Sequence, residues 1–177
     1  MQKKYLALAL LGVLFLTGCS GSHDVSTLSI NKDGEVTSYI VEEFLAPNYD
    51  AEELKRNVLS DIAVANENLK HSAIELKDYE LVDGNLKATI DYKSAKAYEE
   101  FNEETLYVGT LNKALKEGYD IDADIEDDEY HIVLFTENVN VEVPKKIVYV
   151  SDGLQKNGSK AVTVTDKEKE IYYIIYE

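Results

Sequence analysis

The spacing of apolar residues predicts one long amphipathic helix in a chain otherwise made of short strands. Between residues 51 and 69, apolar side chains recur at intervals of three or four, which is the period of one helix face. This stripe consists of Leu54, Val58, Ile62, Ala65 and Leu69. Asp50 precedes it and Glu53 follows three residues later, a pair typical of a helix N-terminus. We therefore expect a helix over 51–69 with its apolar face against a sheet.

Apolar runs rich in β-branched residues and tyrosine predict strands on both sides of this helix. Asp33-Gly34 lies within a predicted hairpin over 26–44, and Asp83-Gly84 joins runs at 74–82 and 86–92. Further strands are predicted at 130–136, 139–143, 147–150, 161–165 and 171–176. The last run is apolar at every position from Ile171 to Tyr176, so we expect it in the middle of the sheet or covered on both sides.

Two shorter helical segments complete a predicted α+β fold. Ser94 is placed to cap a helix through Asn102, and Thr110 a helix through Lys116 that ends at Gly118. Residues 106–109 fit an extended or an irregular segment. Because helices do not alternate with single strands, we expect an antiparallel sheet of hairpins and a C-terminal meander with the helices packed on it.

The start of the chain predicts an export signal. Lys3 and Lys4 precede an apolar run from Tyr5 to Leu16. This run is shorter than the roughly 20 residues that span a bilayer, and it has the length and flanks of a signal peptide. Leu16-Thr17-Gly18-Cys19 then resembles the lipobox of bacterial lipoproteins.

This resemblance implies that residues 1–18 are removed and that Cys19 carries a diacylglyceryl group and an acyl chain such as palmitate. Residues 19–25 are then a short tether, and 26–177 a single domain held at the extracytoplasmic face of the cell membrane. The alternative is an ordinary secretory signal with an incidental cysteine. Cys19 is the only cysteine of the chain and has no partner for an internal disulfide, which favours lipidation.

A second, shorter stretch is similar to uncharacterised lipoproteins of low-GC Gram-positive bacteria. The shared residues are Tyr107-Val108-Gly109-Thr110, Ala114 and Gly118-Tyr119-Asp120. This resemblance implies no activity.

The charge of the chain argues against nucleic-acid partners. The 177-residue precursor has a formal net charge of −16, and loss of Lys3 and Lys4 with the signal leaves −18 on a mature chain of 159 residues. Such a surface repels nucleic acid and anionic polymers and attracts cations. Arg56 is the only arginine, which argues against a nucleotide or phosphosugar site.

An acidic stretch over 120–129 raises the question of a calcium site. Its first aspartates alternate as in an EF-hand loop, but Ile125 stands where that loop needs glycine and His131 where it needs glutamate. An EF-hand is therefore excluded. A looser cation site stays open beside the simpler interpretation of a solvated acidic loop. Its candidate ligands are Asp120, Asp122, Asp124, Glu126, Asp127 and Asp128.

Sequence motifs for catalysis are absent. The chain has no G-x-S-x-G elbow, no C-x-x-C or H-x-x-x-H zinc spacing and no glycine-rich phosphate loop. His71 and His131 lie in no known motif, His23 lies in the tether, and lipidation would consume the thiol of Cys19. We therefore expect no catalytic residue and no resident cofactor.

Three functions follow from these observations. The leading hypothesis is a non-enzymatic, lipid-anchored module that binds a protein, peptide or cell-envelope partner through an exposed sheet face or edge. The alternative is a domain that binds a cation or a cationic ligand through the acidic stretch. The third is a hydrolase whose two carboxylates, about 5–10 Å apart, cannot be recognised from sequence.

Overall fold

A computed structural model describes residues 23–44, 50–125 and 129–177 and confirms the α+β class. The helices are α1 (Ala51–Leu69), α2 (Ala95–Asn102) and α3 (Leu111–Lys116). The strands are β1 (Thr27–Ile30), β2 (Val36–Glu43), β3 (Ile74–Val82), β4 (Asn85–Tyr92), β5 (Leu106–Thr110), β6 (His131–Phe135), β7 (Asn140–Glu142), β8 (Ile147–Val150), β9 (Leu154–Asn157), β10 (Ala161–Val164) and β11 (Tyr172–Tyr176).

The strands form two sheets, a division that the strand pattern alone does not predict. The seven-stranded sheet has the order β3-β4-β2-β1-β7-β10-β9, and the four-stranded sheet has the order β5-β6-β11-β8. All neighbours are antiparallel except β1 and β7, which are parallel. The C-terminal strands are therefore shared between the two sheets.

The predicted hairpin turns are present. In the turn between β3 and β4, Asp83 (φ 51°) and Gly84 (φ 78°) both adopt left-handed backbone conformations. Two successive residues with positive φ match the twist of the flanking strands, as in type I′ turns. The predicted helix over 51–69 is confirmed, and the Asp50 carboxylate accepts a hydrogen bond from the backbone N–H of Glu52 at 2.9 Å.

The main core lies between the two sheets. Inward residues of the seven-stranded sheet, such as Leu28 and Val141, share one apolar cluster with Phe135 and Ile174 of the four-stranded sheet. Helix α1 contributes Ile62 and Ala65 to this cluster, and Val58 and Leu69 pack against it. The side chain of Asn66 ties the helix to β3, because it accepts hydrogen bonds from the backbone N–H groups of Ala73 (2.8 Å) and Ile74 (2.9 Å).

A second apolar cluster covers the opposite face of the four-stranded sheet. Ile132, Leu134, Tyr173 and Ile175 point to this side and pack against Leu111 and Ala114 of α3. An extended segment over 119–125, which we call the strap, packs on the same cluster. With both faces of the four-stranded sheet covered, all five residues of β11 are buried, which confirms the prediction for that strand.

A lysine protects the outer edge of the four-stranded sheet. The Nζ of Lys156, on β9, donates to the backbone carbonyl of Val148 at 3.0 Å and to that of Ile147 at 3.4 Å. The N–H of Ile147 donates to the carbonyl of Ser159 at 2.8 Å. The sequence pattern does not predict β9, because Leu154 is its only apolar residue.

Candidate interaction face

The outward face of the seven-stranded sheet is open. Within the described ranges, its outward side chains belong to neither apolar cluster, and helix α1 lies on the other side of the sheet. We call this surface the open face, and it includes Ser29, Thr37, Tyr39, Val41, Thr89, Asp91, Glu142, Ala161 and Thr163. These residues are mostly small or hydroxyl-bearing, and the same face carries Lys87, Glu75 and Glu80, so it is polar. The hydroxyl of Thr37 on β2 donates to the carboxylate of Asp91 on the neighbouring strand β4, at 2.7 Å.

The first described residues of the chain lie on this face. The ring of His23 packs on that of Tyr39, with centroids 3.8 Å apart, and Asp24 lies 3.9 Å from the ammonium group of Lys87. The hydroxyl of Ser26 accepts from the N–H of Val41 at 3.0 Å. His23 and Asp24, which belong to the described part of the predicted tether, therefore contact the open face over β2 and β4.

A depression of about 650 Å³ lies where the open face meets the turns at one end of the sheet. The β1–β2 turn, the β7–β8 connection and the β9–β10 turn form its walls. Its polar lining residues include Ser29, Lys32, Glu142, Asn157, Ser159 and Lys160. We call this site the polar depression.

Most of these polar groups are free to meet a ligand. Throughout the described parts of the chain, the side chains of Ser29, Lys32, Glu142, Asn157 and Ser159 make no hydrogen bond or ion pair with the protein. Lys160 uses one ammonium proton to bind the carbonyl of Pro144 at 2.8 Å, which leaves two protons available. The depression thus gathers donors, acceptors and two cations.

A second polar group lies at the opposite end of the core, around Glu137 on the connection between β6 and β7. The hydroxyl of Tyr98, on α2, donates to the Glu137 carboxylate. Burial raises the pKa of Glu137, the Tyr98 hydrogen bond lowers it, and the negative charge of Glu104 raises it further. Burial and then the charge of Glu137 raise the pKa of Glu42.

Among the described residues, the carboxylates of Glu42 and Glu137 have no cationic partner. Among the residues described, Lys, Arg and His side chains lie within 4.0 Å of neither Glu42 nor Glu137. Burial and the neighbouring negative charge also raise the pKa of Tyr98 and of Tyr92, whose hydroxyl accepts from the Asn102 amide at 3.2 Å. Burial and neighbouring negative charge thus raise the pKa of both carboxyl groups, and neither Glu42 nor Glu137 lines the polar depression.

The acidic stretch takes a position that the sequence analysis did not anticipate. Tyr119, Ile121, Ala123 and Ile125 pack on the second apolar cluster, and the aspartates between them point outward. The exposed residues are Asp120, Asp122 and Asp124. The alternation of apolar and acidic residues from 119 to 125 is the sequence signal for this arrangement.

Several predicted site residues lie outside the described residues. These are Cys19, Glu126, Asp127 and Asp128. In the remainder, no three His, Cys, Asp or Glu side chains are grouped so that they could hold a metal ion. No helix among the described residues is both long enough and apolar enough to cross a membrane.

The two histidines of the folded region take separate positions. The Nδ1 of His71 lies 2.6 Å from the carbonyl of Leu69 at the end of α1. The ring of His131 stacks on Tyr176, with centroids 5.4 Å apart. The structure therefore does not bring them together.

Comparison of the chain with protein-family models, with curated proteins and with solved structures gives no match.

Proposed function

We propose that the protein is a lipid-anchored, extracytoplasmic binding module without catalytic activity, which meets its partner on the open face. Cys19 carries the lipid, the tether holds the domain close to the membrane, and the partner is a component of the cell envelope or a protein near it. The lipobox supports the anchor, and the geometry of the seven-stranded sheet supports the binding role.

The observation that carries this proposal is the unequal covering of the two sheets. A sheet with one polar face in water needs no partner for stability, but it presents a broad and rigid surface built on strands. The open face also contains the polar depression, the concave place where several free polar groups converge. Because the face carries few large apolar side chains, we expect a polar, reversible contact rather than a permanent apolar interface.

The carboxylates around Glu137 give little support to a hydrolase. A glycosidase needs one ionised carboxylate beside one protonated carboxylate in a site that admits a sugar. Glu42 and Glu137 both have raised pKa values, and the Glu137 carboxylate already accepts a hydrogen bond from the Tyr98 hydroxyl. Burial among tyrosines is the simpler explanation of these shifts.

The anchor is tested by replacing Cys19 and following the protein in fractionated cells. Cys19→Ala should release the protein into the medium or block its maturation, because the acidic domain is repelled by an anionic membrane surface. Incorporation of radiolabelled palmitate provides an independent readout of lipidation. If Cys19→Ala is processed normally and stays in the membrane fraction, the anchor proposal is wrong.

The binding role is tested by placing a large charge on the open face. In cross-linking and co-purification from native envelopes, Thr163→Arg should lose the partner that the wild-type protein retains. Ser60→Arg is the matched control, because it adds the same side chain on the exposed surface of α1. Equal recovery with both variants would contradict a partner on the open face.

The cation alternative is tested separately by calorimetric titration of the mature protein with calcium. Heat release and thermal stabilisation at millimolar calcium, both lost when Asp120, Asp122 and Asp124 are replaced by Asn, would favour that function. Neither effect is expected if these aspartates only solubilise the strap.

A further inference from the structure

We propose that the polar depression binds a hydroxyl-rich anion, such as a sugar that carries a carboxylate. This inference rests on the proposed binding role and names the chemical class of ligand for one part of the open face.

The two lysines supply the attraction for an anion. Neither Lys32 nor Lys160 lies within 4.0 Å of a carboxylate in the described parts of a chain that has 34 acidic residues. Among the described lysines, most share this property, and Lys77, Lys87, Lys93 and Lys113 are the ones that pair with carboxylates. What distinguishes Lys32 and Lys160 is that both line one depression. Unpaired ammonium groups on either side of a concave surface bind anions as point charges, without the bidentate geometry that arginine would give.

The remaining polar groups favour a ligand with hydroxyl groups. Glu142 lines the depression and can accept hydrogen bonds from hydroxyls, but it repels a small, highly charged anion such as phosphate. Ser29, Ser159 and Asn157 can each donate and accept, which matches the mixed character of sugar hydroxyls. A carboxylate near the lysines and hydroxyls near Glu142 would satisfy both sets of groups.

The size and shape of the depression suit a small ligand. Its volume of about 650 Å³ lies within the roughly 300–1,000 Å³ typical of small-molecule sites. It opens to solvent, and its lining combines the polar groups with apolar residues such as Ile30, Val143 and Pro144. Binding should therefore be weak and should weaken further with salt, because the attraction is between partly exposed charges.

The experiment uses saturation-transfer NMR on the purified, full mature protein in detergent, with D-glucuronate as the probe. D-glucose, which lacks the carboxylate, is compared directly. Inorganic phosphate, which lacks the hydroxyl-bearing ring and has no carbon-bound proton, is compared by its ability to displace glucuronate. Saturation transfer should be strongest to glucuronate, and the fitted affinity should fall when salt is added.

The variants K32Q and K160Q should each raise the dissociation constant for glucuronate about two- to fivefold, since each removes one partly exposed charge interaction. K116Q is the matched control, because it removes an exposed lysine on α3 and leaves the depression intact. Circular dichroism checks that all three variants fold.

Three results would overturn the inference: no saturation transfer from glucuronate at millimolar concentration, equal affinity for glucose or phosphate, or an equal loss of affinity in K116Q. None of these results would affect membrane release by Cys19→Ala or partner loss by Thr163→Arg. The ligand proposal and the proposed function therefore fail in distinguishable ways.

Discussion

The two sheets of this protein differ in how far their faces are covered by the rest of the chain. The four-stranded sheet is covered on both faces, by the main core on one side and by α3 and the strap on the other. In the described parts of the chain, the seven-stranded sheet has an apolar cluster on one face, and the other face contacts only residues 23–26. Consequently β11 is apolar at every position, whereas β4 alternates strictly between buried residues and half-buried polar or charged residues.

This difference separates stability from surface chemistry. In the four-stranded sheet almost every inward or outward side chain contributes to packing, so few positions are free to change. On the open face of the seven-stranded sheet, side chains can vary without creating a cavity. A binding surface is therefore more readily accommodated there, and substitutions in the two sheets should have unequal costs.

The largest effect should come from β11, one of the two inner strands of the four-stranded sheet. Ile174 is fully buried between Val133 of β6 and Val150 of β8, so Ile174→Ala should lower the free energy of unfolding by about 2–5 kcal/mol. Urea unfolding measures this loss. Val41→Ala on the open face is the control and should cost less than about 1 kcal/mol. Similar losses in the two variants would contradict the distinction between the sheets.

The strap should have an intermediate effect. Ile121 packs on the second apolar cluster, and the Tyr149 hydroxyl donates to the carbonyl of Asp122 at 3.1 Å. We expect Ile121→Ala to cost about 1–2 kcal/mol, since the side chain is only half-buried. Hydrogen exchange of the strap amides should accelerate in the same variant. Asp124→Ala, which changes an outward side chain, should leave both stability and exchange nearly unchanged.

Glu137, on the connection between β6 and β7, should make the stability of the protein depend on pH. The pKa of Glu137 is raised above its ordinary value of 4.5 in the folded protein, so the folded state holds this proton more tightly than the unfolded state does. Stability should therefore decrease as the pH rises from 4.5 through the raised pKa.

Glu137→Gln removes this titration and keeps an acceptor for the Tyr98 hydroxyl. It should stabilise the protein near pH 8 by an amount on the order of 1 kcal/mol and leave it unchanged near pH 4. Thermal unfolding at the two pH values measures the difference. Glu100→Gln, on the exposed side of α2, is the control. A variant equally stabilised at both pH values would refute the assignment of the effect to ionisation.

The smallest effect should come from the contact between the tether and the open face. Asp24 and Lys87 are 3.9 Å apart, and the Asp24 side chain is 78 % exposed. Asp24→Asn should therefore change stability by less than about 0.5 kcal/mol. A double-mutant cycle with Lys87→Gln measures the coupling, and a coupling larger than that would show that the tether is part of the folded domain.

Local sequence patterns predict the helices, hairpins and strands that are specified by residues close together in the chain. Helix α1 follows from the stripe that contains Ile62 and Ala65 and from its Asp50 cap, and the β3–β4 hairpin follows from Asp83-Gly84. The burial of β11 follows from its uniformly apolar composition. In each case the residues that specify the element lie within one short stretch of sequence.

The candidate site depends instead on contacts between distant residues. The parallel pairing of β1 with β7 aligns Ser29 with Glu142, which are more than one hundred residues apart. Asp33-Gly34 predicts the turn that carries Lys32, but the convergence of this turn and the Lys160 turn on one depression follows only from the strand order. Likewise, the residues next to Glu137 in the sequence, Thr136 and Asn138, do not predict its position between the sheets.

Lys156, which binds the edge of β8, should affect how neighbouring molecules associate when they are crowded. An uncovered strand edge can pair with the same edge of another copy, which is a common route to aggregation. By binding the carbonyls of Ile147 and Val148, Lys156 occupies acceptors that such pairing would need. Lipid-anchored molecules would share a two-dimensional surface at high local density. There, a single ammonium group per molecule would help to keep neighbouring copies from joining into fibres.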